Sequence, residues 1–239
     1  MITATIITFN EEDRIAGAIA SASCCDEVIV VDSGSTDRTR EIAAQCGARV
    51  IVREWEGYSK QKNFAAVQAK NDWILSLDAD ERVSVELAAE VAAITSVQQA
   101  WSMPRRTFYL GQWIHHSGWY PDRKIRLYDR RHARWIGDFV HESLQVDGST
   151  GSFQGALLHF PYRTWSDHVA RVDQYTRLAS EAARKSVRSG NVLKLVLAPP
   201  LTFIRTFLLQ AGFLDGWRGV AIAYMAARYV FLREFRILR

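Results

Sequence analysis

The chain has 239 residues and few cysteines, and the cysteine pattern argues against two classes of protein. It contains three, Cys24, Cys25 and Cys46; the count is odd, two are adjacent, and none has metal-ligand spacing. A disulfide-stapled extracellular domain and a cysteine zinc site are therefore both disfavoured. The pattern is typical of small buried thiols in a reducing compartment.

Other common signatures are also missing. Neither of the first two predicted strands is followed by G-x-G-x-x-G, which argues against a dinucleotide-binding fingerprint. The N-terminus has no basic segment followed by a long apolar run. We therefore interpret it as the first strand of the fold rather than a signal peptide, and we expect a cytoplasmic protein. There is no internal repeat and no low-complexity linker.

The cations are concentrated in two segments, although the net charge is only +4. Residues 101–135 contain eight Lys and Arg against two acids, and residues 186–239 contain the same numbers. The remainder of the chain is net acidic. A basic middle and a basic C-terminal segment suit an anionic substrate and an anionic membrane surface.

The apolar pattern of the first hundred residues alternates between strand and helix periods. We predict strands at residues 4–8, 28–31, 49–52 and 73–77, and helices from Glu11 (capped by Asn10), after residue 37, at 60–70 and at 85–94. This alternation predicts a mostly parallel sheet with helices on its faces. Beyond residue 100, short alternating runs predict added antiparallel strands, and residues 166–187 predict a further helix.

Two predicted strands end at acidic residues, Asp32 and the D-x-D pair Asp78 and Asp80. Because ligands bind at the carboxyl ends of parallel strands, these groups should face one crevice. Asp32 can accept hydrogen bonds from a nucleoside, and Gly34 permits close backbone approach. The D-x-D carboxylates can hold Mg²⁺ or Mn²⁺ against phosphates. Each motif alone also occurs in structural turns, but together they predict a nucleotide-sugar site.

Several segments together resemble the inverting family 2 glycosyltransferases, which have the GT-A fold. They are residues 5–12 (TIITFNEE), 30–37 (VVDSGSTD), 60–63 (KQKN) and 77–81 (LDADE). Four more are similar to the branch of glucosyltransferases that build the lipopolysaccharide core: residues 118–122 (GWYPD), 126–128 (RLY), 140–142 (VHE) and 213–216 (FLDG). The family-level resemblance covers roughly residues 1–160, and the likeness to the branch also uses residues 213–216.

The resemblance implies a metal-dependent hexosyltransferase with Mg²⁺ or Mn²⁺ as cofactor. It assigns the nucleoside pocket to Thr8, Phe9, Glu11 and Asp32, the donor nucleotide or sugar to Lys62, Asn63 and Asp78, and the principal metal ligand to Asp80. The implied donor is a UDP-sugar, UDP-glucose above all, and the acceptor is a phosphorylated lipid-linked glycan. The GT-A domain would span residues 1–165, with a nucleotide-sugar half at 1–95 and an acceptor half at 96–165.

Inversion at a sugar carbon needs a carboxylate that deprotonates the acceptor hydroxyl. Glu142 is our candidate for this general base, with Asp138 as the alternative, and His141 either orients Glu142, contacts the diphosphate or is structural. His159 follows a late apolar strand, and GT-A enzymes often use such a histidine as a further metal ligand.

The basic middle segment supplies candidates for the acceptor or the pyrophosphate: Trp119, Asp122, Arg123 and Arg126. Arginine suits bidentate phosphate recognition, whereas the alternative is a solvated loop with surface ion pairs. We assign no nucleic acid as a partner.

Residues 166–239 form a predicted helical extension. The apolar run at residues 195–214 is interrupted by Pro199, Pro200, Arg205 and Gln210, and a cation in mid-span is costly in a membrane-spanning helix. We therefore expect amphipathic helices at the inner face of the cytoplasmic membrane, with core packing or a homo-oligomer interface as the alternative.

Other functions are open at this point. A sugar-nucleotidyltransferase would normally carry a Gly-rich loop after the first strand, where this chain has residues 8–12 (TFNEE). A phosphatase with Asp78 as nucleophile would share the D-x-D, but Glu81 and Arg82 follow it here. A scaffold that binds sugar nucleotide or lipid without turnover is the non-enzymatic alternative.

Overall fold

The computed structural model describes residues 1–95, 97–137, 142–185 and 191–239. The predicted site residues Asp138 and His141 lie outside these ranges. The chain forms two compact units, the first made of Met1–Arg105 and Asp122–His159 and the second of Arg106–Pro121 and Phe160–Arg239.

The first unit begins as an alternation of strands and helices. The strands are β1 (Ile2–Thr8), β2 (Glu27–Asp32), β3 (Arg49–Val52), β4 (Trp73–Asp78) and β5 (Glu81–Val83). The helices are α1 (Ile15–Ser21), α2 (Thr39–Gln45), α3 (Tyr58–Gln68) and α4 (Val85–Ala92). Apart from β5, which the sequence did not predict, this is the predicted order of elements.

The remaining strands come from the middle of the chain, and the fourth and fifth of them pair with each other in a separate two-stranded sheet. These strands are β6 (Ala100–Tyr109), β7 (Gln112–Trp113), β8 (Asp122–Asp129), β9 (Ala133–Ile136), β10 (Ser143–Val146), β11 (Thr150–Ser152) and β12 (Leu157–His159). The main sheet has the order β3-β2-β1-β4-β8-β6-β12-β5. Its β3-β2-β1-β4 half is parallel, whereas β8 pairs antiparallel with both β4 and β6. The predicted mixed sheet is therefore confirmed.

Both faces of the parallel half are buried. Consecutive residues of a strand point to opposite faces of the sheet, and on each face they belong to an apolar cluster. Ile6 and Leu75 belong to one apolar cluster with Ile15 of α1 and Leu87 of α4. Their strand neighbours Ile7 and Ile74 belong to a second cluster, which includes Ala65 of α3, Tyr128 and Trp135. Helix α3 therefore covers one face of the sheet and presents its side chains near the β4 and β8 strands.

One local prediction is wrong. Asn10 does not cap a helix that begins at Glu11, because α1 begins at Ile15 and Asn10 has a left-handed backbone with φ of 53°. Its side-chain oxygen instead accepts a hydrogen bond from Thr36 N at 2.8 Å. The side chain is thus committed to the loop after β2.

The second unit is largely helical. Its helices are α5 (Trp165–Lys185), α6 (Val192–Ile204), a π-helical turn (Arg205–Leu209), a 3₁₀ turn (Gly212–Asp215) and α7 (Trp217–Leu238). Helix α7 packs against both α5 and α6. In the part of the chain that the structure describes, one stretch, Val192–Leu209, is long and apolar enough to cross a membrane by length and composition alone.

Candidate active site

The two strand-end aspartates lie at the same edge of the parallel sheet. Thr8 at the end of β1 is aligned with Asp32 of β2, and Ile7 is aligned with Asp78 of β4. The end of β1 is therefore flanked by an acidic group on each side. This is the edge at which an open α/β sheet binds its ligand.

Asp32 organises the turn that follows β2. It is fully buried; its Oδ1 accepts hydrogen bonds from Gly34 N (3.0 Å) and Ser35 N (2.8 Å), and its Oδ2 accepts one from Ser35 Oγ. Gly34 has φ of 90°, a backbone conformation that side chains other than glycine's rarely adopt. The aspartate thus fixes a turn whose backbone is open to a ligand.

The loop after β1 is joined to this turn by several hydrogen bonds. Asn10 N donates to Ser35 Oγ at 2.9 Å, and Glu11 N donates to Thr39 Oγ1 at 2.8 Å. Phe9 is exposed, and Glu11 forms an ion pair with Arg14. Among the described residues, the buried Thr8 Oγ1 has no hydrogen-bond partner. The predicted nucleoside residues therefore form one platform with an unsatisfied hydroxyl at its base.

The other strand end carries a network of buried charges around Asp78. Lys62 Nζ lies 3.1 Å from Asp78 Oδ1, and Arg126 Nη2 donates to Asp78 Oδ2 at 2.8 Å. Burial opposes ionisation of Asp78, but the two cations outweigh it and hold the pKa of the carboxyl well below its usual range. Asp78 is therefore an anion under all ordinary conditions.

Glu81, at the start of β5, is hydrogen-bonded to several members of this network. It is fully buried, and its Oε1 accepts hydrogen bonds from Arg126 (2.7 Å) and Arg105 (3.3 Å). Its Oε2 accepts one from the backbone N of Asp78 at 3.1 Å. Arg105 also donates to Asp122, which pairs with Lys124. Glu81 therefore fixes the turn that carries the D-x-D motif.

Lys62 is the most deeply buried cation of the site, with 1% of the residue exposed. Its ammonium lies 4.4 Å from the ring centroid of Trp135 and 3.8 Å from Glu142 Oε1. The neighbouring Asn63 exchanges two hydrogen bonds with the main chain of Trp135, at 2.8 and 2.9 Å. Lys62 therefore stands between the Asp78 carboxylate and the predicted general base.

The predicted metal ligands Asp80 and His159 are neighbours. His159 Nε2 lies 3.5 Å from Asp80 Oδ2, because the antiparallel pairing of β5 with β12 aligns His159 with Glu81. Within the described residues, no group of three or more His, Cys, Asp and Glu side chains could hold a metal. A carboxylate and an imidazole fit an Mg²⁺ or Mn²⁺ ion whose remaining ligands are diphosphate oxygens and water.

The predicted acceptor residues have different surroundings. Arg126 is buried against Asp78 and Glu81, whereas Arg123 is exposed and donates to Ser102 O and Phe153 O. Trp119 belongs to the second unit, where its ring lies 5.2 Å from that of Tyr109. The roles of Trp119, Asp122, Arg123 and Arg126 in binding the acceptor or the pyrophosphate stay predictions.

Three residues of this network were not predicted as site residues from the sequence: Glu81, Arg105 and Trp135. Glu81 is the last residue of the LDADE segment at 77–81, and a carboxylate directly after the D-x-D pair is the sequence feature that could have predicted its place in the site. Arg105 reaches the site through the pairing of β6 with β8, and Trp135 through the hydrogen bonds of its main chain to Asn63; local spacing reveals neither.

Comparison with known proteins agrees with this geometry. The profile described as "Glycosyl transferase family 2" matches residues 3–136. The chain is 29% identical to the lipopolysaccharide core biosynthesis glycosyltransferase LpsC of Rhizobium meliloti, over 98% of this chain and 93% of LpsC. It is 34% identical to an uncharacterized glycosyltransferase of Rickettsia typhi, over 99% of this chain and 87% of that one.

A solved structure resembles the fold along nearly the whole chain. It is that of Staphylococcus aureus TarS 1–349 in complex with UDP-GlcNAc, with a TM-score of 0.50 and 15% identity, covering 98% of this chain and 89% of that one. The likeness confirms the GT-A fold class. With more than half of its residues matched by the family profile, the chain belongs to glycosyl transferase family 2 and is a glycosyltransferase.

Proposed function

We propose that this enzyme transfers a hexose, glucose from UDP-glucose, to a sugar of the lipopolysaccharide inner core or a similar lipid-linked glycan, with inversion. The observation that carries the proposal is the position of Lys62 between Asp78 and Glu142, beside the paired Asp80 and His159. Such a site combines an anion for the donor sugar, a cation for the diphosphate and a carboxylate for the acceptor. The name of the relative LpsC supports the acceptor class.

The chemistry requires one bond to form and one to break. Glu142 takes the proton of the acceptor hydroxyl, the oxygen bonds to the anomeric carbon, and the bond from that carbon to the diphosphate breaks, which releases UDP. Thr8, Phe9, Glu11 and Asp32 hold the nucleoside, and Asp78 orients the donor sugar. An Mg²⁺ or Mn²⁺ ion held by Asp80 and His159 would neutralise charge on the leaving diphosphate.

The proposed location is the cytoplasmic side of the inner membrane, where a lipid-linked acceptor would be presented. The basic segment at residues 101–135 supports an acceptor that carries phosphates. The helical extension at residues 166–239 is proposed to hold the enzyme at that surface.

The test is UDP release from a panel of UDP-sugars by the purified chain with Mn²⁺, with Mg²⁺ and with EDTA. We expect slow hydrolysis of one donor that EDTA and Asp80→Asn both abolish, while the exposed control Asp147→Asn keeps the wild-type rate. Near-native turnover of Asp80→Asn would refute the metal assignment. UDP binding without turnover on any acceptor would favour the scaffold, and pyrophosphate release from a sugar phosphate and UTP would favour the nucleotidyltransferase.

A further inference from the structure

Helix α6 exposes an apolar face, which a helix of a water-soluble protein would normally bury. Its outward side chains are apolar and 46–66% exposed: Val192, Leu193, Val196, Leu197, Leu201 and Ile204. Its half-buried residues are also mostly apolar: Leu195, Ala198, Pro199, Thr202 and Phe203. A surface helix normally turns its apolar stripe toward the core. The medium outside α6 is therefore expected to be apolar.

Helix α7 continues the apolar surface of the same unit. Its exposed large apolar residues recur at intervals of three, four and seven, and each is 40–59% exposed: Trp217, Val220, Tyr224, Phe231, Phe235 and Leu238. They form one stripe along the helix. Four of them are aromatic, and two of these, Trp217 and Tyr224, are of the types that favour the interface between headgroups and hydrocarbon. Helices α6 and α7 pack against each other, and we call the outward face of α6 and this stripe, taken together, the apolar ledge.

The charges that residues 191–239 expose have one sign. Residues 191–239 contain seven Lys and Arg but only two acids, Asp215 and Glu234. Both acids are buried: Asp215 accepts a hydrogen bond from Ser117 Oγ at 2.7 Å, and Glu234 pairs with Arg233 at 2.8 Å. The charge that this segment presents outward is therefore positive.

Two of the cations mark the border of the ledge. Lys194 of α6 and Arg205, which directly follows the helix, are exposed and about three helical turns apart, so they lie on one line between the outward and inward faces. From that line their flexible side chains can reach phosphate headgroups while the outward face lies in hydrocarbon. A second copy of the chain would instead bring like charges together.

From these observations we infer that the apolar ledge, the outward face of α6 with the exposed stripe of α7, embeds in one leaflet of a bilayer containing anionic lipid. The inference deepens the proposed function, since it rests on a lipid-linked acceptor and names the surface that holds the enzyme beside it. Lys194 and Arg205 contribute the dependence on anionic headgroups.

The experiment is flotation of the purified full-length chain with vesicles of phosphatidylcholine alone or mixed with phosphatidylglycerol. We expect binding to the mixed vesicles. The variant L193Q/L197Q/L201Q/I204Q should bind at least about tenfold more weakly, because four side chains no longer enter hydrocarbon. The matched control V52Q/V67Q/V85Q changes exposed valines of the first unit and should bind as the wild type does. K194Q/R205Q should lose most of the preference for phosphatidylglycerol.

The same preparations distinguish this inference from its rivals. Each variant is checked by circular dichroism, by light scattering without vesicles, and by UDP release from soluble donor. Unchanged flotation of the four-residue variant would overturn the inference, as would a wild-type dimer that this variant dissociates. UDP release without vesicle binding would refute the membrane binding of the apolar ledge but not the proposed function. Vesicle binding without UDP release would refute the proposed function but not the membrane binding.

Discussion

Lys62 and Asp78 form an ion pair on the floor of the site, with Nζ 3.1 Å from Oδ1. The lysine comes from the middle of α3 and the aspartate from the end of β4. Because Lys62 is almost completely buried, its charge depends on this carboxylate and on the Trp135 ring for stabilisation.

We expect Lys62→Met to lower the free energy of unfolding by about 3 kcal/mol, because it leaves Asp78 short of one buried cation. The double variant Lys62→Met/Asp78→Leu should be more stable than the sum of its single changes predicts, yet inactive. Urea titration of the four proteins measures the coupling. Lys60→Met, at an exposed position of the same helix, is the control and should change stability by less than about 0.5 kcal/mol. Additive effects would contradict the pairing.

Glu81→Gln should destabilise the first unit by about 3 kcal/mol. The amide offers one acceptor where the carboxylate satisfies Arg126, Arg105 and Asp78 N. Thermal unfolding and the KM for the donor should both change, because the D-x-D turn loses its anchor. Glu54→Gln, at an exposed carboxylate, serves as control. A variant with native stability and native KM would show that the turn does not depend on Glu81.

Glu142→Gln should reduce kcat about 10²- to 10⁴-fold, because the amide cannot take the acceptor proton. UDP affinity, measured by calorimetry, should remain that of the wild type. Asp138→Asn is the informative comparison, since Asp138 is the alternative base. A large loss in Asp138→Asn with a small loss in Glu142→Gln would reverse the assignment.

The stability of the second unit should depend on pH through His168. Burial, assisted by the Arg171 cation, lowers the pKa of this imidazole to about 4, and its Nδ1 lies 2.7 Å from Tyr109 Oη. The unfolded state, with the ordinary value near 6.5, binds more protons between these two values. Stability is therefore complete above about pH 6.5 and falls as the pH decreases toward 4, by up to about 3 kcal/mol.

Urea titrations at several pH values test this dependence. His168→Gln should flatten the profile in this window, although it lowers stability at neutral pH. His132→Gln, at an exposed side chain, should keep the wild-type slope. An equally steep profile in His168→Gln would assign the dependence to another group.

The parallel half of the sheet could be predicted because its signals are local. Apolar runs of strand length, each followed by a helix-period segment, reproduce β1 to β4 with errors of one or two residues at their ends. The helix start at Asn10 failed for the opposite reason. Its side chain is taken by Thr36, which approaches only after β1 and β2 have paired.

The same distinction between local and long-range signals applies to the site residues. Asp32 and Asp78 were visible as acids at the ends of apolar runs. The burial of Lys62 could not be predicted, since four consecutive polar residues at 60–63 alone would favour an exposed helix face. Its surroundings come from Trp135 on β9 and Asp78 on β4, strands of two different sheets that meet at α3. Long-range pairing of this kind has no local periodicity.

The buried link from Glu81 to Arg126 and Arg105 also constrains how the sequence can diverge. A neutral residue at Glu81 would leave Arg126 paired with Asp78 alone and Arg105 with Asp122 alone. An apolar residue at Arg126 would leave the fully buried Glu81 with Arg105 as its remaining ion-pair partner. Single steps at these positions pass through unstable intermediates, so related enzymes are expected to replace them jointly or keep them jointly. Residues 81, 105 and 126 are therefore expected to vary together, and a redesign of the donor pocket should keep or replace all three.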